Sequence, residues 1–493
     1  MEILKTTDWS QLIFAALPIW LLVTGAILIL IFSAVAKTLP HSIYWVIAAL
    51  LALSSLFLVG AGWWRMEPTS IALLSFDRLA FCLDAIFLIA LFLSLFFSHD
   101  YLKERGLEGG EYYTLLLLTT AGLMLIAHAA DLLILFLGIE IASLSAYILA
   151  GFQRGSVRSY EAALKYFILG SFASGFLLYG IALLFGATGS TDLADIAKIS
   201  DLVSDSEGIL MGLGSLFLLV GVAFKIAAVP FQFWSPDVYE GAPTPVTGLM
   251  ASAVKAGGFA ALLRLVVPLM ETLQVPWAPI FWTLSALTMT VGNLMALRQT
   301  NIKRMLAYSS IAHAGYALVG VAAAFQEKTS FETTLAAVLF YLFAYSFMTL
   351  GAFGVVVALG RGSSEPDEIS EYASLAEKRP VLAASLTFFL LSLIGIPPTI
   401  GFVGKFYLFS GAVQAGLTGL VVVAVLNSAV SVYYYLGPIV KMYFQKGNPL
   451  TPQPVSKLLV AGLVICLFAV LYLGLLPTSL MVIAQESVKG MLF

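Results

Sequence analysis

Lys225 and Lys255 stand in one apolar stretch, Ala223–Leu265, with Pro230, Pro236, Pro243 and Pro245 between them. Lys165 and Lys405 sit in further apolar runs, and Glu140 is the single mid-run acid, in LLILFLGIEIASLSAYILAGF. A lysine in water, with a pKa of about 10.4, holds its proton too firmly to relay it at neutral pH. Burial loosens that hold, and a nearby carboxylate tightens it again. A buried lysine beside a movable carboxylate is therefore a switchable proton carrier. Histidine is a second kind of carrier, with an ordinary pKa near 6.5, and His313 falls at mid-depth of an apolar run. A cation in lipid costs roughly 2.5–3.5 kcal/mol on the cheapest scale. Prolines break helices, and broken helices persist at membrane depth only when enclosed by protein or beside water. The pattern points to a polar path through a membrane protein.

Each residue also has a plainer reading. A single buried lysine serves equally as a partner for helix-end carbonyls; four of them with one acid, near helix breaks, favour transport. For Lys165 and His313 the structural reading stands beside the relay reading. Asp84 is read as a capped or solvated position, with contact to a neighbouring subunit as the other option. The 361–379 loop is read as solvated surface, Cys82 and Cys466 as inert apolar residues, and Tyr433–Tyr435 carry no assigned chemistry.

The elements that must position these groups are transmembrane helices. Of 493 residues, 60% are hydrophobic and 11% charged, against about 45–50% and about 25% in soluble domains. A span needs about 20 apolar residues. Fourteen stretches qualify: 11–35, 43–62, 79–98, 112–129, 132–152, 162–186, 209–229, 245–268, 277–297, 302–325, 331–359, 380–413, 417–445 and 457–485. The seventh breaks at Pro230, with Phe231–Glu240 re-entering the interior, and the twelfth breaks at Pro397–Pro398. A rise of about 1.5 Å per residue puts Glu140 roughly 12 Å into the fifth span. The predicted fold class is an all-α polytopic membrane protein with two inverted five-helix repeats, spans 4–8 and 9–13. In that register Glu140 faces the tenth span, which carries His313. The chain divides into 1–110, 111–270, 271–446 and 447–493.

Two cysteines are too few for an iron–sulfur cluster, and His41, His99, His128 and His313 are scattered. There is no GxGxxG or phosphate loop and no basic stripe for nucleic acid, so no cofactor is expected in this chain. The N-terminus shows no cleavage signal. Loops after odd-numbered spans carry fourteen Lys and Arg, Lys37, Lys303, Arg304 and Arg361 among them; the other side carries seven, including Lys5, Arg264 and Lys328. The odd loops are therefore expected in the cytoplasm and both termini outside.

Four passages carry a family resemblance: SYEAALKYFILGSFASGFLLYGIALLFGATG (159–189), FQFWSPDVYEGAPTPVTGLM (231–250), QTNIKRMLAYSSIAHAGY (299–316) and GIPPTIGFVGKF (395–406). Over roughly residues 80–445 the chain resembles the antiporter-like membrane subunits of respiratory complex I, the NADH:quinone oxidoreductase, most of all subunit N. The resemblance implies that Glu140, Lys225, Lys255 and Lys405 carry proton translocation. Lys165 is implied as an accessory lysine, and His313 is the candidate bridge at mid-depth. It also implies partner subunits that hold the quinone, NADH, FMN and iron–sulfur clusters, and a bacterial plasma membrane, with the thylakoid as the alternative. A membrane subunit of a multisubunit sodium/proton antiporter is the second reading, and a stand-alone solute transporter the third.

Overall fold

The computed structural model describes residues 13, 15–35, 40–65, 67–71, 73–199, 205–270, 275–326, 331–360, 365–447 and 454–491. Lys5, Lys37, Lys328 and Arg361, used above for orientation, lie outside them.

The chain opens with α1 (Leu17–Val35) and α2 (His41–Arg65), followed by a short antiparallel hairpin, β1 (Thr69–Ile71) with β2 (Leu74–Phe76). Then come α3 (Arg78–Glu104), α4 (Gly110–Ala127), α5 (Leu132–Ala150) and α6 (Val157–Thr188). Helix α7 (Asp205–Lys225) stops at its lysine, and α8 (Trp234–Gly241) re-enters the protein. Helix α9 (Thr244–Leu249) runs through a π-helical turn, Met250–Val254, into α10 (Lys255–Met270). The second half contains α11 (Trp277–Ala296), α12 (Ile302–Gln326), α13 (Phe331–Leu359), α14 (Pro380–Ile394), α15 (Ile400–Gln414) and α16 (Thr418–Phe444). The chain closes with α17 (Lys457–Leu475) and α18 (Thr478–Lys489).

Within lipid every backbone polar group must be bonded inside its own segment, which leaves helices as the only open-chain solution. Twelve described helices are long and apolar enough to cross a membrane. The ninth expected span is α11, and the twelfth is divided into α14 and α15. Local residues set the ends. Asp77 caps α3 through Ala80 N at 2.8 Å, and Asp131 caps α5 through Leu133 N at 2.7 Å, satisfying donors that a helix start leaves open. Gly395 ends α14 at φ 94°, a left-handed cap that glycine adopts without penalty.

Two expectations need correction. The fourteenth span does not reach residue 485: α17 stops at Leu475, Pro477 interrupts the chain, and a separate helix, α18, follows. The hairpin between α2 and α3 was not expected; it is held because Ser75 N donates to the His128 carbonyl at 2.7 Å.

The windows of Thr244–Leu265 and α12 are wholly enclosed and that of α13 almost so, whereas α1, α2, α16 and α17 are largely exposed. Helix α13 is the central pillar, packing on α3, α9, α12, α14, α15, α17 and α18. Helix pairs approach closely where glycine removes the side chain. A Cβ on Gly122 of α4 would lie 2.5 Å from the Ala142 nitrogen of α5, and one on Gly292 of α11 would lie 2.6 Å from the Ala312 nitrogen of α12. The two contacts are offset by the same 170 residues (292 − 122 and 312 − 142).

Candidate functional site

The mid-span ionisable groups begin on α5, with the partly buried Glu140. Glu140 accepts from the Ser174 hydroxyl of α6 at 2.5 Å. One turn further along α5, Ser143 accepts from Lys225 Nζ at 2.6 Å, and the Tyr147 hydroxyl lies 3.3 Å from the same nitrogen. The expected direct contact between Glu140 and Lys225 is thus replaced by hydroxyl contacts, Glu140 with Ser174 and Lys225 with Ser143. Glu140 does not face the tenth span: α5 packs on α4 and α6, and the Glu140 carboxylate turns to Ser174.

Lys225 sits where it does because α7 ends there. The end leaves carbonyls without helical partners, and the Trp234 indole of α8 takes that of Phe224 at 2.9 Å.

Lys255 follows the π turn. Its Nζ donates to the Ser310 carbonyl of α12 at 2.7 Å and also to the Ser310 hydroxyl. Three residues on, His313 has its Nδ1 2.6 Å from the Tyr341 hydroxyl and its Nε2 3.1 Å from that of Tyr435. Lys405 is the last of the buried lysines. It donates to the carbonyls of Leu393 and Ile394 at 3.2 and 2.9 Å and to the Ser428 hydroxyl at 2.9 Å, and it lies 4.6 Å from the centre of the Tyr316 ring. Its acceptors are the open end of α14, where the helix dipole also favours a cation. Lys225, Lys255 and Lys405 are all buried.

Lys165 departs from this pattern. Its side chain is 40% exposed and pairs with Glu161 at 2.7 Å and Asp237 at 2.6 Å. Arg304 reaches the same Asp237 and also Glu240. Burial alone would lift the Asp237 carboxyl, but bonds from Lys165 and Arg304 hold it below the ordinary carboxylate range. Lys165 therefore belongs to a surface ion cluster rather than to the buried set.

Two further clusters were misread from sequence. Glu365, in the 361–379 loop, is not solvated: its side chain is 9% exposed and accepts from Lys303 at 2.8 Å, from the Tyr101 hydroxyl and from Thr244, with Arg105 at 3.5 Å. Burial raises that carboxyl, but the Lys303 and Arg105 charges outweigh it and leave the pKa at about 2. Lys303, assigned to a loop, is likewise buried. Asp84 is neither a cap nor solvated; it is fully buried and lies 2.8 Å from His128 Nε2. Beside it Arg264, also assigned to a loop, is buried and bidentate to Asp77 at 2.7 Å. A charge leaves water only if paired and bonded, and these partners come from distant helices.

The hydroxyl partners Ser143, Tyr147, Ser174, Ser310, Tyr341, Tyr435 and Ser428 were missed. Serine and tyrosine hydroxyls both donate and accept, so they suit transfer between carriers. Of the tyrosine triplet, Tyr433 is exposed, while Tyr434 bonds Asn293 at 3.0 Å and Tyr435 bonds Ser309. No group of three or more His, Cys, Asp or Glu that could hold a metal ion occurs among the described residues.

Residues 129–431 match the family described as NADH:quinone oxidoreductase/Mrp antiporter, TM. The chain is 47% identical to NADH-quinone oxidoreductase subunit N of Trichlorobacter lovleyi, over 89% of this chain and 90% of that one. It is 42% identical to subunit N 2 of Roseiflexus castenholzii, over 88% of each. Among solved structures, a chain of respiratory complex I from Thermus thermophilus with bound aureothin superposes with a TM-score of 0.79 at 34% identity, covering 95% of this chain and 99% of that one. A chain of the Mrp complex from Dietzia sp. gives 0.84 at 20% identity, covering 97% of each, a likeness of fold alone.

Proposed function

The chain belongs to the NADH:quinone oxidoreductase/Mrp antiporter membrane family and sides with its subunit N members; from that premise we propose that it is a proton-translocating membrane subunit of a complex I-type enzyme. It carries out no electron transfer itself. Its partners are the other membrane and peripheral subunits, which hold the NADH, FMN, iron–sulfur clusters and quinone. Quinone reduction there supplies the energy, since moving one charge against 100 mV costs about 2.3 kcal/mol.

The observation that carries this reading is a set of groups, read here as one row of carriers: Glu140, Lys225, Lys255, His313 and Lys405, each bonded to a hydroxyl group and all but Glu140 buried. In our mechanism Glu140 is the switch. With its charge turned toward Lys225, the lysine keeps its proton. When another charge draws Glu140 away, Lys225 gives its proton up through Ser143 or Tyr147. Lys255 is the central carrier, His313 bridges with its tyrosines, and Lys405 is the gate on the outer side. Lys165 has a supporting role at the surface, with Asp237.

The carriers are organised, in this reading, by two inverted repeats, 111–270 and 271–446, with 1–110 and 447–493 flanking them. The equal offset of the Gly122–Ala142 and Gly292–Ala312 contacts supports that division. The same offset pairs Lys225 with Gly395 (395 − 225 = 170), both at helix ends. We place the protein in the bacterial plasma membrane, with both termini outside.

Lys225→Ala and Glu140→Ala in the assembled enzyme test the reading. Each should abolish proton pumping while the complex still assembles, and normal pumping by either would refute it. A preparation with only small hydrophobic partners and no iron–sulfur or flavin subunit would instead favour the sodium/proton antiporter.

A further inference from the structure

Away from the lysine row, the ends of four helices surround an open cavity of about 580 Å³. The end of α1, the start of α2, the end of α3 and the start of α4 contribute Ser33, His41, His99, Lys103, Glu108 and Glu111. Nothing in the proton row uses these residues.

His41 is buried to about nine-tenths. Its Nε2 lies 2.9 Å from the Tyr113 hydroxyl and 3.2 Å from the His99 carbonyl, while its Nδ1 is buried without a protein partner. Either tautomer leaves that nitrogen with an unmet bond. The His99 ring is 5.3 Å away. Its Nδ1 lies 3.0 Å from the Asp100 carboxylate, which only accepts, so Nδ1 carries the proton. Lys103, Glu108 and Glu111 are exposed and form no ion pair among the described residues. The cavity therefore presents a cation, two carboxylates and an unsatisfied imidazole nitrogen within one space.

Its position narrows the ligand. The lining comes from the last and first turns of spanning helices, the level of the membrane–water boundary. On the same end turns of α1 and α2, Ile31, Phe32, Val35, Ile43 and Val46 are exposed apolar residues. A ligand here has its polar part in the cavity and its apolar part along those two helices. Two carboxylates against one ammonium disfavour a headgroup that carries negative charge alone. A quaternary ammonium has no hydrogen to give a carboxylate, whereas a primary ammonium has three.

We propose that this cavity binds the headgroup of a phosphoethanolamine lipid. The phosphate accepts from Lys103, the primary ammonium donates to Glu108, Glu111 and the open His41 Nδ1, and the acyl chains lie on α1 and α2. The site is independent of the proton row.

The test is native mass spectrometry of the whole complex, exchanged into bilayer nanodiscs with equal amounts of phosphatidylethanolamine, phosphatidylglycerol and phosphatidylcholine. The wild type should retain one more phosphatidylethanolamine than the Glu108→Gln/Glu111→Gln variant. The affinity at this site should fall at least about tenfold, as expected for lost charge-assisted hydrogen bonds. Lys103→Met should also lose that lipid. Water-soluble phosphoethanolamine should not displace it, because it lacks the chains. Equal retention by wild type and the double variant would overturn the proposal. So would equal retention of phosphatidylglycerol at this site, or displacement by the soluble compound. Wild-type pumping by the double variant is the expected result and leaves the proton-row reading untouched.

Discussion

Lys405 donates to the carbonyl of Ile394 at 2.9 Å, so the cation of one half-helix closes the open end of the other. Lys405→Met should therefore fail twice. It removes a carrier and leaves buried carbonyls unbonded, at a cost of about 1–3 kcal/mol for each such group. Pumping should vanish and the melting temperature of the complex should fall. Lys405→Arg, which keeps the charge and the donors, should restore most of the stability; melting curves of the two variants check this.

Glu140→Gln keeps a bond to Ser174 and removes only the charge. Quinone-linked NADH oxidation measured in detergent should persist, while proton uptake into proteoliposomes should fall by about tenfold or more, within the range for loss of one acid–base group. Ser174→Ala should have a smaller effect, since the carboxylate remains.

His313 is bonded on both ring nitrogens by tyrosine hydroxyls. Tyr341→Phe or Tyr435→Phe removes one hydroxyl and leaves the ring in place. Either should slow proton transfer without loss of assembly, and the double variant should approach His313→Ala. Solvent isotope effects on pumping, compared across the four proteins, report whether transfer has become limiting.

The Glu365 carboxyl has a pKa of about 2 in the folded chain, against about 4.3 for a free glutamate. A carboxyl depressed in this way stabilises the fold above the free value, and that contribution is lost as pH falls from about 4.3 toward the folded value. Acidification of the wild-type complex through this window should lower its melting temperature more steeply than acidification of Glu365→Gln. Parallel slopes would show that the Lys303–Glu365–Arg105 cluster contributes nothing.

Asp77→Ala leaves the Arg264 guanidinium buried without its carboxylate. Breaking such a pair costs about 3–5 kcal/mol. The variant should assemble poorly, and Asp77→Ala/Arg264→Met should recover much of the loss. Yield of intact complex on a sizing column measures both.

The ionisable residues within the spans were legible in sequence for a physical reason. A lysine or glutamate inside an apolar run is costly enough to stand out alone, so Glu140, Lys225, Lys255 and Lys405 needed no contacts to be noticed. Helix breaks were legible because proline and glycine act locally. The hydroxyl partners were not, since serine and tyrosine sit cheaply in any span and only packing decides which of them faces a lysine. Asp84 was misread because an acid near the start of a helix normally caps it; Asp77 holds that place, and the partner of Asp84, His128, stands just past the end of the next helix. The exposure of Lys165 was illegible for the opposite reason, since an apolar run does not reveal that one edge of the helix meets Asp237.

The two interrupted helices hold their cations differently. Lys225 is part of the segment that stops, so it travels with its own helix. Lys405 arrives from the far side of the gap and grips carbonyls that belong to α14. A small slide of α15 against α14 would strip it of both carbonyls at once, while the same slide at the first gap would leave Lys225 seated. The second gap thus ties the seat of one cation to the spacing of two separate half-helices, with Ser428 of α16 as its remaining partner.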